Sequence, residues 1–342
     1  MFRSTTVRAS AILLTTIGLL GGSSRAARAQ AFVPPQGEGT VSVLYQDQFF
    51  KYHYAPTVAV DAGHIYSRSA LVDVSYGLTD KVALSVSLPW VGTRYDGTKP
   101  HPLDPTNPSL GINPLDDGTW HSTAQDFSFN LRYNVTRNLG NKGIVLTPFV
   151  GSIVPSHDYA YFSHAAFGRD LHEIQVGTSA AKLFERGIPG LLIQATYAYG
   201  FTQQVVDISH NRSLGSLEAA YFATPKLRLL ALSNGLITHG GLDYYAPPSL
   251  ATLGPTLFQH HDQIDRTNML ALGGGASYSL TESLDVYGSL MHTVLQRNGH
   301  GLTRGVSLGL SWSFKTPRGQ RHASATLAEN SLVRCLCEKG TK

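Results

Sequence analysis

The chain has 342 residues, with 27 Lys and Arg against 23 Asp and Glu. Residues 1–29 hold four arginines and no acid, so the rest of the chain is electrically balanced and a nucleic-acid partner is not expected. Only 15% of residues are charged and 10% are aromatic, with 34 glycines, a composition that suits a surface meeting lipid better than one meeting water.

Residues 1–29 have the layout of a secretory signal peptide. Arg3 and Arg8 give a positive start, residues 11–20 an apolar run, and Ala27-Arg28-Ala29 a small-x-small cleavage site. The expected mature start is Gln30, with cleavage after Ala31 as the alternative. The apolar run is shorter than the roughly 20 residues a membrane-spanning helix needs. No cysteine lies near the cleavage site, so a lipid anchor is not expected. No later run reaches 18 apolar residues, which excludes membrane helices by the same argument.

From there the chain reads as strands. Val41, Val43 and Tyr45 share one face of a first strand near 40–50. Val72, Val74 and Tyr76 oppose Ser69, Asp73 and Ser75 on a second near 65–76. A tight Gly77-Leu78-Thr79-Asp80 turn leads to a third near 81–90, where Val82, Leu84, Val86 and Leu88 alternate with Ala83, Ser85 and Ser87. A proline-rich connection, 91–123, precedes Phe127, Phe129, Leu131, Tyr133 and Val135, which alternate with polar residues. Further strands are expected near 144–154, 171–183, 190–202, 212–222, 226–237, 267–280 and 283–295.

The last strand, 304–314, has the plainest pattern. Val306, Leu308, Leu310, Trp312 and Phe314 occupy one face, and Gly305, Ser307, Gly309, Ser311 and Ser313 the other. Successive strand side chains point to opposite faces, so this strand separates an oily environment from a small, polar one. Short links (136–143, 184–189, 223–226, 281–283) alternate with long ones (51–64, 91–123, 155–170, 203–211, 239–265, 296–303). This is the layout of a transmembrane antiparallel up-and-down β-barrel of about 12 strands, with short periplasmic turns and longer outer loops. A soluble β-sandwich also has alternating strands, but its outer faces would carry more Lys and Glu. The expected organisation is a signal peptide (1–29), an outer-membrane barrel (30–314) and a basic, disordered tail (315–342).

Tyr76-Gly-Leu-Thr-Asp-Lys-Val-Ala-Leu-Ser-Val-Ser-Leu-Pro-Trp90 resembles a stretch of the outer-membrane barrels grouped with the MetA-pathway phenol-degradation proteins, and Asn234–Asp243 is similar to that group as well. The resemblance implies an outer-membrane barrel that acts as a channel or transporter for small, possibly aromatic or hydrophobic, organic molecules. Such barrels end on an aromatic residue read by the assembly machinery. Here Phe314 is followed by 28 residues, Lys315 to Lys342, a departure from that pattern.

Parity puts Asp73, Asn130, Arg132, Glu173, Gln175, Gln194, Glu218 and Arg228 on the inner face, as pore-lining candidates that could set selectivity or pair and plug the lumen. The face of Arg228 is ambiguous because Leu230 and Leu232 share its parity. Constriction is expected from 91–123 or 239–265. Tyr45, Phe49, Phe50, Tyr52, Tyr54, Tyr76, Trp90, Tyr133, Trp312 and Phe314 are candidates for interfacial aromatic girdles. His260-His261-Asp262 invites a metal reading, but adjacent residues on an extended segment point opposite ways, so a solvated loop is expected. Cys335-Leu-Cys337, the only cysteines, fall in the tail and leave the barrel without a disulfide. Neither a Gly-x-Ser-x-Gly, P-loop, Rossmann nor His-Glu-x-x-His motif occurs, so no cofactor, metal or catalytic set is expected. An outer-membrane lipid-acting enzyme resting on Ser233 and His239 is the alternative, requiring residues about 20 Å apart on an extended strand to meet. The expected partners are outer-membrane lipid, the barrel-assembly machinery and a small-molecule solute. The expected location is the outer membrane.

Overall fold

Period-two alternation becomes fourteen strands in one antiparallel sheet, seen in a computed structural model that describes residues 31–321 apart from 57, 137–142, 185 and 245–247. The expected signal peptide and the tail from residue 322, with Cys335 and Cys337, lie outside the described residues. In chain order the strands are β1 (Glu38–Ala55), β2 (Val58–Val60), β3 (His64–Gly77), β4 (Val82–Asp96), β5 (His121–Ala124), β6 (Phe127–Tyr133) and β7 (Val145–Val154). They continue as β8 (Glu173–Phe184), β9 (Leu191–Thr202), β10 (His210–Phe222), β11 (Leu227–Gly240), β12 (Asn268–Ser279), β13 (Leu284–Arg297) and β14 (Gly299–Lys315). β2 and β5 only extend the walls beside β1 and β4. The other twelve form a closed barrel, each pairing with its chain neighbour and β14 returning to β1.

The closing seam pairs β14 antiparallel with β1. Gly39 lies opposite Phe314, Val41 opposite Trp312 and Val43 opposite Leu310. Leu308, Leu310 and Trp312 are exposed on the outside, while Ser307 and Ser311 are buried on the inside. The same outward apolar belt recurs in Leu84, Leu131, Val150, Ile174, Val176, Leu229, Leu272 and Leu290. An oily outer belt on a closed sheet suits lipid, and closure leaves no sheet edge to satisfy. No helix among the described residues is long and apolar enough to cross a membrane.

Three of the tight links share one device. Thr79 Oγ1 accepts from the amides of Lys81 and Val82, Thr224 Oγ1 from Lys226 and Leu227, and Thr281 Oγ1 from Ser283 and Leu284. A threonine three residues before the next strand thus satisfies the amides two and three residues on, at the start of the ladder.

The opposite rim differs from expectation in two ways. Residues 296–303 form no loop: β13 turns into β14 at Asn298 and Gly299, both at positive φ (55° and 66°), so the last hairpin stands as a tall tongue. Register shifts around Phe50 on β1 and Leu302 on β14 then change which residues face inward. Phe50 shares the inward parity of Gln46 and Gln48 and so does not join the expected girdle. It is 7% exposed and packs inside on Ile65, Tyr95, Ala165 and Leu302. Trp90, Tyr133 and Trp312 do face outward.

Three long connections, 97–120, 155–172 and 241–267, fold over the barrel mouth. The last carries α1 (Leu250–Gln259) and α2 (His261–Ile264). The chain before β1 turns at Gly37 and Pro34-Pro35 and enters the opposite, short-turn end. Gly77 permits this close approach, since a Cβ there would lie 2.2 Å from the Pro35 carbonyl oxygen. Beyond β14, Thr316 and Gly319 clasp the same turn, with Thr316 Oγ1 donating to the Gly37 carbonyl at 2.8 Å.

Candidate functional site

The barrel interior holds a cavity of about 460 Å³. The segment 31–36 crosses the same lumen toward the short-turn end, where Phe32, Val33, Pro34 and Pro35 line a second, smaller space. Ala31 reaches the far wall, where its N–H donates to Gln194 Oε1 (3.0 Å) and its carbonyl accepts from Thr147 Oγ1 (2.5 Å). There it is fully buried among Ala181, Leu192, Ala220 and Leu230. Glu38 and Ala31 stand on opposite sides of the barrel, so the segment crosses the lumen along a diameter.

The sides of the cavity combine two surfaces. Gln46, Gln48, Ser67, Ser69, Ser128, Gln175, Thr196 and Ser216 present polar groups. Phe149, Leu214, Leu236 and Met269 pack together on the inner face, with Leu232 and Met291 also facing the cavity. The expected inner face of Ser, Gly, Asn and Gln is thus interrupted by a patch of large apolar side chains. Arg228, Leu230 and Leu232 are all on the inside, while Leu229 is exposed, so their shared parity reflects an apolar interior and not a wrong face.

Of the eight pore candidates, Asn130, Arg132, Gln175, Gln194 and Glu218 line this cavity. Asp73 and Arg132 border the smaller space that the N-terminal segment lines. Arg132 donates to Ser75 and Ser85, and Ser87 donates to Asp73. Arg228 pairs with Asp285 at 3.1 Å. Glu173, 2% exposed, accepts from Arg212 Nε (2.8 Å) and Nη2, from Thr202 Oγ1 (2.8 Å) and from Gln175 Nε2 (2.7 Å). Gly200 makes room for this carboxylate, since a Cβ there would lie 2.8 Å from it.

The roof is a knot of loop side chains that one-dimensional spacing did not reveal. Asp116 accepts from the His101 amide and ring, Ser163 Oγ and the Ala165 amide, joining 97–120 to 155–172. These donors hold its carboxyl well below the ordinary range, outweighing the upward push of burial. Thr93 on the wall donates to the Ala165 carbonyl at 2.6 Å. Arg169 and Gln263 exchange bonds, Nη2 to carbonyl and Nε2 to carbonyl, tying 155–172 to α2. The connection 155–172, absent from the expected constrictions, therefore forms the centre of the roof.

His260, His261 and Asp262 are not a solvated extended loop. α2 winds them into a helical turn, so they separate by angle: His260 stacks on Tyr161 and His261 is buried against Phe258 and His101. Five imidazoles converge here: His53, His101, His164, His261 and His300. Burial first, then the neighbouring His101, pulls His164 down to about 3, and burial likewise lowers His261. Ser233 and His239 remain six residues apart on the continuous β11. His239 Nε2 instead meets Ser213 Oγ at 2.7 Å.

Asp265, between α2 and β12, is 7% exposed and accepts from Thr267 Oγ1 at 2.5 Å. Burial pushes it up to about 7, Asp262 adding in the same direction. A carboxyl raised in the folded state contributes stability below its ordinary pKa, and that contribution is lost as pH rises toward 7. Asp265→Asn is therefore expected to stabilise the barrel by about 1–3 kcal/mol at pH 8 and to have no effect near pH 4, read as the denaturation midpoint at each pH.

The barrel is similar to the structure of the COG4313 outer membrane channel from Pseudomonas putida F1, with a TM-score of 0.62 and 15% identity, over 83% of this chain and 98% of that one. It is more distantly similar to the NanC porin (TM-score 0.46, 11% identity, 81% and 100% covered). It is also similar to a mutant of the TodX monoaromatic hydrocarbon channel (TM-score 0.42, 11% identity, 84% and 92% covered). At these identities the likeness defines the fold, a barrel of the outer-membrane type. No protein-family model and no curated protein sequence matches the chain.

Proposed function

We propose that this protein is an outer-membrane channel for small molecules with an apolar part. The observation that carries this reading is the 460 Å³ cavity, whose polar Gln, Ser and Thr groups face an apolar patch centred on Phe149, Leu214, Leu236 and Met269. A compact aromatic or short aliphatic solute would bury its hydrocarbon there and leave its polar end to the amides and hydroxyls. Arg132, Gln175, Gln194 and Glu218 would then bias which charge and size pass. The resemblance to the barrels grouped with MetA-pathway phenol-degradation proteins, and the fold shared with an outer membrane channel, support the same class. The belt of outward apolar residues would sit in outer-membrane lipid after insertion by the barrel-assembly machinery. The lipid-acting enzyme has less support, because β11 keeps Ser233 from His239 and the COG4313 barrel that this chain resembles is a channel.

In proteoliposomes, a small phenol-type solute is expected to enter at least about tenfold faster than a sugar of similar mass, and planar bilayers to show conductance steps. Bilayers that stay silent and vesicles that admit neither solute would overturn the reading.

A further inference from the structure

We propose that His53, His164 and His300 form a binding site for a divalent transition-metal ion, and that the bound ion clamps the 155–172 connection across the barrel mouth. The first part stands on the side chains alone. The clamp rests on the channel reading above.

Two of the three histidines come from the wall. His53 on β1 and His300 on β14 are direct cross-strand partners, with ring centroids 4.4 Å apart. The uninterrupted alternation of 304–314, continued upward, puts even-numbered residues outside. The register shifts at Phe50 and Leu302 reverse that and bring both rings inside, where His300 faces the cavity. The third, His164, descends from 155–172 and also faces the cavity. One donor atom from each residue can be chosen so that all three lie within 4.8 Å of one another. Zinc–imidazole bonds of about 2.0–2.1 Å put tetrahedral ligand atoms roughly 3.4 Å apart, a spacing reached from here by small ring rotations.

The chemistry of the set selects the kind of ion. Imidazole nitrogens suit Zn²⁺, Ni²⁺ and Cu²⁺, whereas Ca²⁺ and Mg²⁺ ask for oxygens. The Nε2 of His164 is bonded to the Lys99 carbonyl at 2.9 Å, so Nε2 carries the proton and the Nδ1 lone pair is left for an ion. An imidazole steadied through its second nitrogen by a backbone carbonyl is the usual outer support of a metal ligand. The Asp262 carboxylate lines the same cavity and offers charge compensation. Packing alone is a poor reason for this cluster, since Leu or Phe would fill the space without the cost of burying ring nitrogens. A second set, His101, Asp116 and His164, also satisfies the spacing. There, however, both Asp116 oxygens already accept from Ser163, Ala165 and His101. The wall pair with His164 is the better site.

Its position gives the ion a mechanical effect. Two ligands are fixed in the barrel seam and the third sits on the loop that covers the cavity. Occupancy therefore adds a tie between roof and wall beside the Thr93–Ala165 bond, and release of the ion loosens the roof by that tie.

The test uses the full-length barrel in detergent, with Cys335→Ser and Cys337→Ser to remove thiol ligands from the tail, after dialysis against chelator. Calorimetry with zinc chloride is expected to show one ion per barrel. His164→Ala and His300→Asn should each weaken binding about 100-fold. His260→Ala, which alters the adjacent stacked ring, should leave it unchanged. The folded and boiled gel mobilities establish that each variant is a closed barrel, and His300→Asn keeps a polar group should alanine fail to fold. In bilayers, zinc should lower conductance reversibly in the parent and not in His164→Ala. No zinc binding by the folded parent, or binding that survives both His164→Ala and His300→Asn, overturns the site. Zinc binding with unchanged conductance in an active channel overturns the clamp. A barrel silent with and without zinc refutes the channel reading, while calorimetry still decides the site.

Discussion

Deletion of residues 31–36 raises single-channel conductance roughly threefold or more, because those residues cross the narrow lumen of a twelve-strand barrel along a diameter. Ala31 is anchored at the far wall by Gln194 and Thr147 and by four buried apolar neighbours. The return turn is built into the barrel through Gly37, whose N–H donates to the Gly77 carbonyl at 2.9 Å. The strands themselves begin at Glu38, so the deletion leaves the β1 ladder to β14 and β3 intact. Ala31→Trp offers a second handle: the larger side chain cannot enter the 0%-exposed site, and the segment should be displaced without being removed. Planar-bilayer recordings at fixed salt would read both. Equal conductance in the deletion variant and the parent would mean that the segment does not obstruct the pore in a membrane.

Arg212→Met is the most destabilising single change expected in the barrel, at about 3–5 kcal/mol. Met nearly matches the length of the arginine stem, so little is lost in packing. What is lost is the cation facing Glu173, and a carboxylate with 2% exposure is left with Thr202 and Gln175 as its partners. The companion double change, Arg212→Met with Glu173→Gln, should recover most of the loss, because it removes the stranded charge as well. The midpoint for loss of the heat-modifiable folded band would report both. Equal destabilisation in the single and double variants would show that arginine packing matters here and the ion pair does not.

Much of the fold could be read from the residues because a barrel wall repeats one local rule. The alternation in 304–314 marked both faces of β14 and its place as the last strand of the wall. The Gly77–Asp80 turn was legible because Thr79 bonds only its close chain neighbours. Where the rule breaks, sequence reading failed. A one-residue slip beside Phe50 leaves no mark in composition, yet it moves His53 and His300 to the inside. His261 was misjudged because an extended segment was assumed where Ser249 caps one helix and a second turn follows it. The roof joins residues as distant in sequence as Arg169 and Gln263, so no local spacing announces it. The apolar patch of the lumen was hidden for another reason: Leu230 and Leu232 looked like evidence against the inner face when they were part of it.

The seam between β1 and β14 also carries a statement about time. Gly39 and Phe314 are partners at nearly the full length of the barrel in sequence, and so are His53 and His300. Contacts of such separation bring a large loop-closure entropy and form late. The chain can lay down every hairpin from β3 to β13 before this last ladder zips. The paired imidazoles exist as neighbours only once it has. Any signal that depends on their proximity is thus a clock for the final step of assembly, silent in an open sheet and present in a finished barrel.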